Sequence, residues 1–250
     1  MTCTLPEVSP TSAVLQEVLH TVRQRLETDS RPPVVVFDLD STLILTDHRN
    51  FRILRLFSQE RLHGKPELQA ALLPLIERLE AGGKLWNPAE VVRQAGVLPT
   101  AEERELAHFW EDHFFSSRHL PFDPPVPGAP AFVRACWDAG ALCTYLTGRV
   151  EPWMKEGTLK SLAGLDFPLG ERTRLLMKPA HSLPDAQFKA QGVEMVRGLG
   201  PVVALFENEP ANLNLLHAAF PEAVAVFLET IHSPNAPAVT ARATRIGNFL

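Results

Sequence analysis

The stretch Val34-Val35-Val36-Phe37-Asp38-Leu39-Asp40-Ser41-Thr42 governs the reading of the whole chain. Its first four residues are β-branched or aromatic and apolar at every position, the pattern of a central parallel strand covered by helices on both faces. The chain then turns polar at once, placing Asp38 and Asp40 two residues apart. Two carboxylates at the end of a buried strand repel each other, and they are costly unless a cation or donated hydrogen bonds offset them. Mg2+, which prefers oxygen ligands and keeps several waters, suits such a pair, whereas a metal that selects cysteine or histidine does not. Asp38 is also a candidate nucleophile toward phosphorus, and Asp40 a candidate proton shuttle.

Outward from this stretch, residues 11–28 put Val14, Leu15, Val18, Leu19, Val22 and Leu26 at helical spacing, and Ser30-Arg31-Pro32-Pro33 ends that helix. Downstream, residues 48–119 are dominated by helical periods with no β-rich interruption, and the proline-rich run 121–128 closes them. A helix at 129–139 and a strand at 141–146 follow. Further apolar strands at 175–177, 202–206 and 223–228 are separated by segments at 185–199 and 211–219 that suit helices. This alternation predicts an α/β fold with a doubly wound parallel sheet. Residues 1–47 and 120–250 form its core, and an all-α insertion at 48–119 interrupts it. In open sheets of this kind the ligand site lies off the carboxyl ends of the strands. The polar residues that follow strands are Asp38 and Asp40, Thr147-Gly148-Arg149, Lys178 and Glu207-Asn208-Glu209.

Composition narrows the function. The chain has 250 residues, 45% hydrophobic and 21% charged, and its 24 Lys and Arg against 29 Asp and Glu give a net charge of −5. No long block of one sign occurs, which argues against general binding to nucleic acid or anionic lipid. No apolar run approaches the roughly 18–20 residues that cross a bilayer. The N-terminus lacks a basic segment followed by an apolar one, so a cytoplasmic location is expected. Cys3, Cys136 and Cys143 match no metal or redox spacing and read as one loose and two core thiols without disulfides. Nothing fixes an oligomeric state.

The opening stretch resembles the first motif, hhhhDxDxT, of the haloacid dehalogenase superfamily. The second motif, a strand ending in Thr or Ser, resembles Tyr145-Leu146-Thr147-Gly148-Arg149. For the third, a lysine, Lys189 is preferred over Lys178, because it opens the helix before the next strand and stands 18 positions before Glu207. The fourth motif normally supplies an aspartate pair or GDxxxD for Mg2+, but this chain reads Leu205-Phe206-Glu207-Asn208-Glu209-Pro210. Glu207 still offers a carboxylate with an extra methylene of reach, and Asn208 only a neutral carbonyl oxygen.

The resemblance implies a Mg2+-dependent phosphatase of small phosphorylated metabolites. Asp38 would be the nucleophile, Asp40 the acid and base, and Thr147 and Lys189 the groups that neutralise the transferring phosphoryl. Thr42, Gly148, Arg149 and Lys178 would contact substrate, Asp38, Asp40, Glu207 and Asn208 would hold the metal, and the helical insertion would be a cap that selects the leaving group. Two alternatives stay open: a phospho-ligand-binding or regulatory protein with little or no turnover, and a nucleotide or polynucleotide-end phosphatase. His48 and Arg49 are candidate specificity residues. His108 and His113, five apart, do not form a zinc motif, and Trp86, Trp110 and Trp153 are expected to pack between insertion and core, with Trp153, just beyond Arg149, also a candidate to line the pocket.

Overall fold

The computed structural model describes residues 10–250. Cys3 therefore lies outside the described residues, whereas Cys136 and Cys143 are buried free thiols. Six strands form one parallel sheet in the order β3-β2-β1-β4-β5-β6. These are β1 (Val34–Phe37), β2 (Leu142–Val150), β3 (Thr173–Lys178), β4 (Val202–Glu207), β5 (Val224–Leu228) and β6 (Thr244–Ile246). The first five were legible as apolar runs. The sixth has only three residues and one buried side chain, Ile246, so it gives no apolar run to recognise.

The chain divides into two compact units, each described by itself. The first comprises the residues up to Ile44, Pro125–Gly148 and Leu162–Leu250. Its sheet is covered on both faces, as the unbroken apolar character of β1 requires. On one face Val34, Val36, Leu142, Leu146, Leu205 and Phe227 pack with Phe188, Val193 and Val196 of α8 (Asp185–Arg197) and with Leu213 and Leu216 of α9 (Pro210–Ala219). On the other, Phe37 stacks on Phe206 with centroids 5.0 Å apart, and Phe132 of α6 (Ala129–Asp138) meets Phe206 at 5.3 Å. Helix α1 (Pro10–Thr28) packs against α6, β4 and β6 and buries Val14, Val18 and Val22. Strand β1 pairs with β2 on one side and β4 on the other, with Phe37 in register with both Tyr145 and Phe206. Strand order reverses at β1, where open α/β sheets leave a crevice for ligands.

The second unit, Leu45–Pro124 with Arg149–Ser161, is helical. It contains α2 (Asp47–Glu60), α3 (Pro66–Gly82), α4 (Pro88–Ala95), α5 (Thr100–Phe114) and the first part of α7 (Glu151–Gly164). The helix α7 was not expected, because its apolar positions show no clear periodicity. Gly83 and Gly96 end α3 and α4 in the left-handed conformation that favours glycine, and Asn87 caps α4 by accepting from the Glu90 N–H. Ile53, Leu54 and Phe57 form a core with Leu72, Leu75, Ile76, Val92, Leu106 and Phe109. Trp110 belongs to this unit and donates to Asn50, whereas Trp86 and Trp153 are exposed rather than packed.

Two buried polar pairs stand out in this unit. The guanidinium of Arg49 is fully buried, 2.9 Å from Asp123, and it also donates to the Phe114 carbonyl and lies over the Phe114 ring. His113 and His119 share a hydrogen bond of 2.9 Å between ring nitrogens. Burial, then His113 and the nearby arginines 52, 118 and 49, push the His119 imidazole down to about 4.

Truncating one partner of a buried ion pair strands the other, at a cost of about 3–5 kcal/mol. Asp123→Ala is therefore expected to lower the unfolding free energy measured by urea titration by that amount, while Asp123→Asn, which keeps an acceptor for Arg49, loses less. For His119 the unfolded chain takes up a proton near pH 6.5 and the folded chain only near pH 4, so stability falls as pH drops through that window. His119→Gln should flatten this dependence in melting curves recorded between pH 7 and 4.5.

Candidate active site

The turn after β1 is tight. Leu39 accepts the backbone N–H groups of Thr42, Leu43 and Ile44, and Ser41 takes a positive φ of 61° and donates to the Ile44 carbonyl. A left-handed residue is uncommon outside glycine, and here the returning chain enforces it, turning the Asp38–Thr42 segment back against its own strand end. The Asp38 backbone N–H donates to the Phe206 carbonyl, which extends the β1–β4 ladder by one residue.

Three strands meet at one ammonium. Lys189, from the first turns of α8, donates to Asp38 Oδ1 at 2.7 Å, to the Leu146 carbonyl of β2 at 2.8 Å and to Glu207 Oε2 at 2.8 Å. Its side chain is 3% exposed, so these three acceptors replace the water it lost. Burial alone would depress the Lys189 ammonium, but Asp38 and Glu207 outweigh it and raise it above its ordinary value. Burial likewise pushes the Asp38 carboxyl up, helped by Glu207 and resisted by Lys189, to about 7. One cation thus faces two close carboxylates, and Asp40 adds a third negative field on Asp38.

The remaining expected residues fall into distinct places. Thr147 is fully buried near the end of β2, and Gly148 follows it. Lys178, at the end of β3, is buried and 2.5 Å from Asp185, whose other carboxylate oxygen lies 3.2 Å from where a Cβ on Gly148 would stand. Arg149 belongs to the helical unit, where it is buried and donates to Thr158 of α7 at 3.3 Å.

The segment after β4 carries Glu207 and Asn208, and each has definite partners. Glu207 Oε1 accepts the N–H groups of Asn208 and Glu209, at the start of α9, while Oε2 takes Lys189. Asn208 uses both ends of its amide, the oxygen accepting from the Thr42 hydroxyl at 2.9 Å and the nitrogen donating to the Ile231 carbonyl. An aspartate there could not donate, so asparagine is the residue that ties the β1 turn to the segment after β5. The same segment is held again by Thr230, which donates to the Ser41 carbonyl, and by Ser233, which donates twice to Glu209. Thr230-Ile231-His232-Ser233 was not counted among the site residues from sequence. Its polar positions directly after an apolar strand were the available signal.

The donor chemistry fits Mg2+ in part. Asp38, Asp40 and Glu207 are oxygen donors whose negative charge exceeds the single positive charge of Lys189, and a divalent cation would balance that surplus. The Asn208 carbonyl oxygen accepts from Thr42 and keeps a second lone pair, whereas Glu207 is more heavily engaged, Oε1 accepting two backbone N–H groups and Oε2 the Lys189 ammonium. Among the described residues no three His, Cys, Asp or Glu side chains are grouped to hold a metal by themselves. Asn208→Ala would leave the Thr42 hydroxyl and the Ile231 carbonyl without these bonds. A loss of about 1–3 kcal/mol in thermal unfolding is expected, shared by Thr42→Val and less than additive in the double variant.

No family model matches the chain, and no curated protein matches it in sequence. Among solved structures, a Clostridium difficile protein provisionally named a phosphatase is similar at a TM-score of 0.53 and 10% identity, over 83% of this chain and 90% of that one. A haloacid dehalogenase-like family hydrolase from Streptococcus pneumoniae reaches 0.49 at 10% identity, over 78% and 84%. The tungstate-bound class C acid phosphatase of Bacillus anthracis reaches 0.44 at 13% identity, over 87% and 74%. Likeness at such identities concerns the fold alone, and the chain shares its α/β fold with the Clostridium difficile protein.

Proposed function

We propose that this chain is a Mg2+-dependent phosphoric monoester hydrolase acting on a small phosphorylated metabolite, with Asp38 as nucleophile. The observation that carries this reading is the buried Lys189, which bonds Asp38 and Glu207 at the carboxyl ends of β1 and β4 with Asp40 two residues on. A site without chemistry gains nothing from carboxylates crowded on one ammonium, since burial and mutual repulsion both oppose them.

In the first step an Asp38 oxygen forms a bond to phosphorus as the bond to the leaving oxygen breaks, and Asp40 gives that oxygen a proton. In the second, Asp40 takes a proton from water, the water oxygen attacks phosphorus, and the Asp38–phosphorus bond breaks to release phosphate. Lys189 and the Thr147 hydroxyl offset charge on the phosphoryl oxygens, and Lys189 holds Asp38 in place for attack. Asp38, Asp40 and Glu207 are the residues that would hold Mg2+, which supplies further neutralisation of phosphoryl charge. Substrate choice is assigned to the helical unit. It has a cavity of about 590 Å3 lined by His48, Phe51, Arg52 and Arg55 among others, a size that suits a metabolite. Phospho-ligand binding without turnover is the second reading, favoured by the hydrogen bonds that Glu207 and Asn208 already accept on their side-chain oxygens.

Hydrolysis of an aryl phosphate by wild type, Asp38→Asn and Asp40→Asn, with and without millimolar Mg2+, separates the two. The phosphatase reading expects turnover that needs Mg2+, falls about a thousandfold or more in Asp38→Asn and falls about a hundredfold or more in Asp40→Asn. Full activity in Asp38→Asn would overturn it. Phosphate binding without turnover in wild type would establish the second reading.

A further inference from the structure

Asp40 stands in the turn after β1, and much of what fixes that turn comes from other parts of the sheet. Within the turn the Leu39 carbonyl accepts three N–H groups, the Ser41 N–H reaches the Ile44 carbonyl, and Asp40 forms a β-bridge with Ile44. Ser41 keeps a φ of 61°, which residues other than glycine hold only where their surroundings over-determine it. Two of the restraints come from outside. The Ser41 carbonyl accepts the Thr230 hydroxyl, and the Thr42 hydroxyl donates to Asn208.

Thr230 is itself held on both sides. The N–H of Glu229 donates to the Ile246 carbonyl at 2.8 Å, which carries the β5–β6 pairing one residue past β5. Ile231 is buried and gives its carbonyl to the Asn208 amide. Ser233 donates to Glu209 at 3.0 Å through its N–H and at 2.6 Å through its hydroxyl. Residues 229–233 are thus tied to β6 at one end and to the start of α9 at the other. The Thr230 hydroxyl is what this brace offers to the β1 turn.

We propose that Thr230 is a positioning residue: from its brace it holds the Ser41–Thr42 peptide, and with it the backbone of Asp40, so that the Asp40 carboxyl meets the leaving oxygen. This rests on the phosphatase reading above and assigns a role to a segment outside the residues that reading uses. As the phosphorus–oxygen bond breaks, the proton on Asp40 passes to the leaving oxygen. That transfer matters most when the departing oxygen is strongly basic and least when it leaves readily as an anion. A loosened brace therefore has a signature, in that a poor leaving group suffers more than a good one. A general softening of the fold would lower both alike.

The test measures kcat/KM, at saturating Mg2+, for phenyl phosphate, whose leaving group is poor, and 4-nitrophenyl phosphate, whose leaving group is good. The proteins are wild type, Asp38→Asn, Thr230→Val, Thr230→Ser, and Asp40→Asn alone and combined with Thr230→Val, each checked by thermal melting. Thr230→Val is expected to fall about 10-fold on phenyl phosphate and about twofold on 4-nitrophenyl phosphate. Thr230→Ser, which keeps the hydroxyl, should retain the wild-type ratio, and on the Asp40→Asn background Thr230→Val should cost less than about twofold on either ester. Equal losses on both esters in Thr230→Val, or the full loss added on top of Asp40→Asn, would overturn the proposal and leave the phosphatase reading standing. Should Thr230→Val lose its cooperative melt, Ser233→Ala, which loosens the far end of the brace, decides by the same ratio. A larger loss on phenyl phosphate then supports the proposal, and equal losses overturn it. Absence of Asp38-dependent turnover in wild type would overturn both.

Discussion

The ammonium of Lys189 is the interaction around which the first unit is arranged. It ties β1, β4 and β2 together through Asp38, Glu207 and the carbonyl of Leu146 in the middle of β2. A buried lysine survives only if its three donors are all used, and only strands in one fixed register bring three acceptors to one point. The pairing of Phe37 with both Tyr145 and Phe206 provides that register, because it sets Asp38, Leu146 and Glu207 one step beyond a common row. Packing of Phe188 and Val193 of α8 against the sheet then fixes the height from which Lys189 reaches down. Core packing and site geometry are thus the same constraint viewed from two ends.

The turn after β1 and the segment after β5 form a second layer around that centre. Asn208 sits between them, accepting from Thr42 and donating to Ile231, while Glu209 holds Ser233 and Thr230 holds Ser41. The extra methylene of Glu207 lets one carboxylate serve two purposes, accepting two backbone N–H groups at the start of α9 and pairing with Lys189. Acceptors at a helix start also interact favourably with its dipole. Glu207 and Asn208 are therefore both part of the wiring of this site.

The helical unit follows the same economy of buried polar groups. Asn50 links Leu85 and Trp110, Asp47 accepts the Leu85 N–H, and Arg49 is neutralised by Asp123 beside the Phe114 ring. Each polar group is placed where an apolar core alone would leave helix positions undetermined. Among the described residues of either unit, no helix is long and apolar enough to cross a membrane.

The amino-acid sequence by itself determined the elements whose signal is local. The β-branched run at Val34–Phe37, the helical period of α1 and the break from helices back to strands after residue 128 were all legible, because side-chain periodicity is imposed by the backbone repeat. The candidates Asp38, Thr147, Lys178, Lys189 and Glu207 were legible because each follows a strand or opens a helix. Only the tertiary structure decided what each one touches: that Lys189 and not Lys178 reaches Asp38, that Asn208 spends its amide on Thr42 and Ile231, and that Arg149 is turned to Thr158. It also decided that Asp185 and Ser233 stand beside these residues. The physical reason is separation along the chain. Asp38 and Lys189 lie 151 positions apart and Thr42 and Asn208 166 apart, so their meeting depends on strand order and register, which no local pattern encodes.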